Sequence, residues 1–307
     1  SNMAVNLNTE LGKLKLNSPI IMASGTFGYG TEKFPFIDYK KIGAITTKTI
    51  TYEKWEGNPQ PRISEIPSGM INNIGLQNPG IKYFCEKIYP SLEKLKKEGV
   101  KIFVSITDRT LDNIIKIVEK LNNLKIDAIE LNFSCPNFEK NNLMISQIPD
   151  KTFSVVKETK EVSKFPVITK LSPNVTDIAE IAIAASEGGS DILCMVNTVK
   201  GIFFDWKRKK IIEGGISGQC IKGIGLRCVY DVYKKVKIPI IGLGGIVCGK
   251  DALEYILIGA DAIGIGSGFF SNPGIVNDVF NYLSSYLTKK GIKNIKQIAG
   301  ILNEKGK

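Results

Sequence analysis

The 307-residue chain contains no histidine. That absence removes Ser-His-Asp triads, Cys-His dyads and histidine-ligated metal sites together. Acid–base work must then fall to Cys, Lys, Asp, Glu, Tyr or Thr. The six cysteines, at 85, 135, 194, 220, 228 and 248, include no CxxC pair. Metal-ligand spacing is therefore missing, and so is a disulfide framework. A reduced, cytoplasmic protein is expected. No apolar run approaches the length of a membrane span, and there is no signal-peptide pattern. The net charge of +11 comes without any basic run interleaved with stacking aromatics. Lys94, Lys96, Lys97, Lys234 and Lys235 read instead as solvated helix faces. Nucleic-acid binding is thus not expected, while attraction to an anionic ligand or acidic partner is compatible with the charge. Ser1-Asn2 ahead of Met3 reads as a cloning remnant.

What is present is alternation. Short apolar runs at 19–23, 43–48, 100–106, 126–131, 166–171, 191–197, 238–243 and 261–265 read as strands. Helical spacing predicts helices over 111–124, 151–163, 177–187, 219–236 and 250–258. Eight strand–helix repeats in a chain that is 43% hydrophobic predict one α/β domain over 1–307, a (β/α)₈ TIM barrel. Val5 to Leu16 alternates around Glu10-Leu11-Gly12 and predicts an N-terminal β-hairpin that closes one barrel end. The proline-containing stretch with Pro59, Pro61 and Pro67 reads as a polar loop. The region of Gly214-Gly215 and Ser217-Gly218 reads as irregular. Residues 137–149 form a long polar loop, an active-site lid candidate.

Chemistry is expected where the strands end, at the carboxyl face of the barrel. Lys48 and Lys170 both fall there, and a buried lysine needs a counter-charge or an anionic ligand. The seventh and eighth strands run into Gly244-Gly245 and Gly266-Ser267, turns whose backbone N–H groups suit a phosphate. Asn72, Asn132 and Asn197, with Thr198, offer neutral hydrogen bonding suited to a planar ligand rich in carbonyl and N–H groups. The fourth strand leads into Glu130-Leu131-Asn132-Phe133-Ser134-Cys135-Pro136-Asn137. Cys135 stands there among loop residues, whereas Cys85, Cys194 and Cys228 lie in apolar surroundings typical of core cysteines. With histidine absent, Cys135 is the best-placed candidate base, provided the site lowers or matches its pKa.

Several of these stretches, in order, resemble the catalytic subunit of class 1B dihydroorotate dehydrogenases. They are Ala23 to Gly30, Asn72 to Gly80, Leu131 to Asn137, Met195 to Gly201 and Gly242 to Ile246. The resemblance implies oxidation of (S)-dihydroorotate to orotate in pyrimidine biosynthesis. Cys135 would remove the C5 proton as hydride leaves C6 for N5 of FMN. It implies FMN contacts at Ser24, Lys48, Thr49, Asn132, Lys170, Val196, Gly218, Gly244, Gly245, Gly266 and Ser267. It implies substrate contacts at Lys48, Asn72, Asn73, Ile74, Gly75, Leu76, Asn132, Asn197 and Thr198. It also implies a separate electron-transfer subunit carrying FAD and a 2Fe-2S cluster, passing electrons to NAD, with a homodimer of this chain inside a heterotetramer. No metal site and no membrane contact are implied for the chain itself. Two departures stand out. Ser105-Ile106-Thr107-Asp108 replaces the Asn and Gly usual at the third strand end, so no flavin contact is assigned to Ser105. Asn141-Asn142 replaces Gly-Gly in the lid, which should stiffen it. The altered lid keeps open an FMN barrel acting on another pyrimidine, or a silent pyrimidine-binding homologue.

Overall fold

The structure, a computed structural model, describes residues 5–133 and 145–304. Its strands are β1 (Thr9–Leu11), β2 (Leu14–Leu16), β3 (Ile20–Met22), β4 (Ala44–Thr46), β5 (Ile63–Ile66), β6 (Gly69–Asn72), β7 (Lys101–Ile106), β8 (Ala128–Asn132), β9 (Val167–Leu171), β10 (Ile192–Met195), β11 (Val199–Asp205), β12 (Lys210–Ser217), β13 (Ile240–Leu243) and β14 (Ala262–Ile265). The parallel strands β3-β4-β7-β8-β9-β10-β13-β14 close into a barrel, with β14 paired back to β3. All eight barrel strands fall where the apolar runs predicted them.

Strand periodicity sorts every barrel residue to one of two faces. Outward side chains such as Ile129, Leu131, Leu193 and Met195 meet the helices in one large core. The helix Leu111–Leu121 shows the matching stripe, burying Ile114, Ile117, Val118 and Leu121 at helical spacing, with Thr110 capping its start by accepting from Asn113 N–H. Inward residues form a second cluster. Ala44, Ala128, Ile192 and Ala262 come from alternate strands, and Ile21, Phe103, Ile168 and Ile241 from the others. This is the layered filling of a packed barrel rather than a pore. Leu11 and Leu16 of the β1–β2 hairpin join that cluster from below, so the predicted hairpin does close the amino end.

Three aspartates bind the strand starts together. Asp127, Asp191 and Asp261 accept the backbone N–H of Ile102, Val167 and Ile240 respectively, each on the neighbouring strand. Each bond satisfies a donor at the barrel's amino edge.

One part of the expectation needs correction. The proline stretch and the glycine stretch are not loops throughout. They pair as an antiparallel sheet, β11-β12-β6-β5, over the barrel mouth. The glycines that suggested irregularity are there for close approach. A Cβ on Gly214 would lie 2.2 Å from Asn72 O, and one on Gly215 would lie 2.1 Å from Thr198 Oγ1. The outer end of this sheet leaves Ile202, Phe204, Trp206 and Ile211 exposed, with Phe204 directly across from Ile211. No helix among the described residues is long and apolar enough to cross a membrane.

Candidate active site

The barrel mouth opens into a cavity of about 1100 Å³. It is floored by strand ends and walled on one side by the antiparallel sheet. Every residue expected to touch FMN or substrate, other than Cys135, lines this one cavity. Cys135 and the Asn141-Asn142 lid lie outside the described residues.

Pairing places the side chains. Asn132, the last residue of β8, is in register with Lys170, one residue before the end of β9, and Lys170 is also in register with Cys194 on β10. Beyond β10 the chain is held by Val196 N–H donating to Leu243 O and Asn197 N–H donating to Leu171 O. Asn197 Nδ2 then donates to Asn132 Oδ1 at 3.0 Å, and Asn132 Nδ2 donates to Thr49 Oγ1 at 3.0 Å. Thr49 Oγ1 continues to Ser105 Oγ at 2.9 Å and approaches Ser24 Oγ at 3.3 Å. Two of the expected carboxamides thus join a hydroxyl chain across five strand ends. Such a chain fixes which donors and acceptors remain for a ligand. Asn72 sits on the opposite wall, paired with Gly215 of β12.

Lys48 is tied down by its backbone, whose N–H donates to Gly28 O at 2.8 Å. Burial lowers the pKa of its ammonium, and repulsion from Arg62 adds to the effect. An anion bound in the cavity would relieve both.

The corner between β13 and β14 tests whether a phosphate-bearing group suits the site. Gly244 and Gly245 have φ of +128° and +75°. A Cβ on Gly245 would stand 2.8 Å from Lys222 N and 2.9 Å from Gly218 O. At Gly266 an added Cβ would meet nothing nearer than Ala23 Cβ at 3.9 Å, so its backbone is bare toward the cavity. The buried Tyr255 props this corner, its hydroxyl donating to Gly244 O at 2.6 Å. Gly225 and Gly242 make room for that ring, since a Cβ on either would strike it. A glycine cradle, two lysines and a cavity of about 1100 Å³, just above the ~300–1,000 Å³ usual for ligands, fit a flavin mononucleotide.

Sequence reasoning missed part of the site. Trp55 and Arg109 line the mouth and stack, with the guanidinium carbon 4.6 Å from the ring centroid. They come from loops remote in sequence, and only the fold joins them. Glu130 was also passed over, because the alternation that places it inside the barrel looked like a continuous apolar strand. Ser105, left without a role, turns out to carry the hydroxyl chain.

The model of the family Dihydroorotate dehydrogenase matches residues 6–287. The chain is 42% identical over 303 residues to the dihydroorotate dehydrogenase B (NAD(+)) catalytic subunit of Caldicellulosiruptor saccharolyticus, covering 97% of this chain and 100% of that one. It is 44% identical over 301 residues to the subunit of the same name from Bacteroides thetaiotaomicron, covering 96% and 98%. Among solved structures, DHODH from Eimeria tenella in complex with ferulenol superposes with a TM-score of 0.80 at 25% identity, covering 96% of this chain and 88% of that one. Likeness at this level spans the barrel, the sheet over its mouth and the cavity between them, and by it the chain belongs to the dihydroorotate dehydrogenase family.

Proposed function

We propose that this chain is the catalytic subunit of an NAD-linked dihydroorotate dehydrogenase, oxidising (S)-dihydroorotate to orotate in pyrimidine biosynthesis. The observation that carries the reading is the convergence of the expected flavin and substrate residues on a single cavity. When bound, FMN supplies the electron acceptor for the substrate's hydride. Gly218, Gly244, Gly245, Gly266 and Ser267 would hold its phosphate end. Ser24, Lys48, Thr49, Asn132, Lys170 and Val196 would hold the ring system, with positive charge at Lys170 favouring negative charge on the flavin.

Substrate is held by this chain's own polar wall. Lys48 meets a carboxylate, the 72–76 segment supplies a carboxamide and backbone groups, and Asn132, Asn197 and Thr198 meet the ring's amides. The linked carboxamides hold each other in place, and fixed side chains are what positioning a planar ring for proton and hydride loss requires. Cys135, as thiolate, would take the C5 proton.

The electrons leave through a separate subunit, proposed to carry FAD and a 2Fe-2S cluster. The working assembly is proposed as two copies of each chain in the cytoplasm. The curated relatives' designation as catalytic subunits supports a partner. Exposed Ile202, Phe204, Trp206 and Ile211 supply apolar surface of the kind that interfaces cover.

The test is a visible absorption spectrum of the purified chain before and after anaerobic addition of dihydroorotate. The flavin band is expected to be present and to bleach. A flavin band untouched by dihydroorotate, in protein that binds orotate, would refute the assignment.

A further inference from the structure

Glu130 is the acidic group the reaction leaves unexplained. It is 3% exposed, and its Oε1 has no hydrogen-bond partner among the described residues. On β8 it follows Ala128 and precedes Asn132 on the inward face, one step beneath the cavity. The two flanking strands place polar groups toward it. Ser105 is its register partner on β7, and Lys170 lies two residues beyond its partner Ile168 on β9. The inward positions of alternate strands at its level are Thr46, Cys194 and Gly264, none of which carries a cation. Lys170 is itself 7% exposed, and the two interact through space rather than as an ion pair within 4.0 Å among the described residues. A carboxyl and an ammonium thus share the barrel interior without a direct bond.

Leaving either alone in such surroundings is costly, whereas removing both is often tolerated. Burial raises the pKa of the Glu130 carboxyl, and attraction to Lys170 and the nearness of Ser105 oppose that rise. The same two charges bear in opposite senses on the Cys194 thiol, whose pKa burial has raised. By register on adjacent strands, Glu130 and Lys170 occupy one small buried volume.

We propose that Glu130 is a positioning residue for Lys170, a counter-charge below the cavity floor that holds the lysine in place and limits how much positive charge it presents to the ligand above. The ligand half of this statement rests on the flavin reading, while the pairing of the two residues does not.

The test is a double-mutant cycle of Glu130→Gln, Lys170→Met and the double variant, read in two ways. The first is the unfolding equilibrium of the chain without added ligand. The loss from Glu130→Gln should shrink at least tenfold once Lys170 is already Met. The second is the midpoint potential of FMN bound to the full chain. Glu130→Gln unmasks Lys170 and should favour reduced over oxidised flavin by about tenfold, or about +30 mV for a two-electron couple. That rise should vanish in the Lys170→Met background. Additive stability effects would overturn the pairing, whatever the cofactor. Coupled stabilities with an unchanged potential would overturn the charge-limiting role while leaving the flavin site intact. If Glu130→Gln alone does not fold, a double variant that folds supports the proposal, and one that also fails overturns it.

Discussion

The two ends of the barrel are built to opposite rules. At the amino end the inward layers are alanine, isoleucine and phenylalanine, sealed by Leu11 and Leu16 of the hairpin. At the carboxyl end the inward positions become Ser105, Glu130, Asn132 and Lys170, all buried. The first end gains stability by excluding water from apolar surface. The second gives up some of that gain, because buried polar groups must find partners or bear a penalty. The hydroxyl and carboxamide chain from Ser105 through Thr49 and Asn132 to Asn197 supplies partners for part of the set. The lower half therefore serves as the stable platform, and the buried polar cluster rests on it at the level of the cavity floor.

That division can be broken experimentally. The largest effect is expected from the proposed base. Cys135→Ala should slow anaerobic flavin reduction by dihydroorotate by roughly 10²–10⁴-fold, the usual worth of a positioned base, with little change in thermal midpoint. Stopped-flow absorbance reads the rate, and near-normal reduction would remove the thiol from the mechanism.

A floor substitution should do the reverse. Leu11→Ala opens a void beneath the lowest layer and should cost about 2–5 kcal/mol of unfolding free energy, while orotate affinity of the folded fraction is unchanged. Denaturant titration and equilibrium binding measure the two. A parallel loss of affinity would show that the ends are not independent.

The smallest effect concerns pH. The Lys48 pKa lies below the ordinary lysine value because burial disfavours its ammonium and Arg62 repels it. The folded chain then releases this proton before the unfolded chain does. Between the two values the group's contribution makes stability rise with pH. Affinity for anionic orotate should fall across the same window, because the cation is lost. Lys48→Met should weaken binding at neutral pH and flatten this alkaline limb. A limb that survives the substitution belongs to another group.

How much of this was legible beforehand varied with the kind of signal. The barrel strands were clear because a strand buried on both faces is a short apolar run, and eight of them alternated with helices. The residues that line the cavity stood out because they sit at the ends of those runs or match family stretches. The sheet over the mouth was not legible. Its strands β5 and β6 follow a proline-rich stretch, and β12 contains Gly214-Gly215, which read as breakers until the close approach of Asn72 and Thr198 explained them. Tyr255 looked like one more helix residue, yet its hydroxyl fixes Gly244.

The chain by itself determined the barrel, its closure by the hairpin and the strand-end residues that line the cavity, because burial and strand periodicity act locally along the sequence. Only tertiary structure decided that Trp55 stacks with Arg109, that Asn132 and Asn197 bond one another, and that Glu130 and Lys170 share the barrel interior. Those relations depend on which strands become neighbours and at what register. A shift of one residue would turn Glu130 out toward the helices and leave Lys170 without a counter-charge.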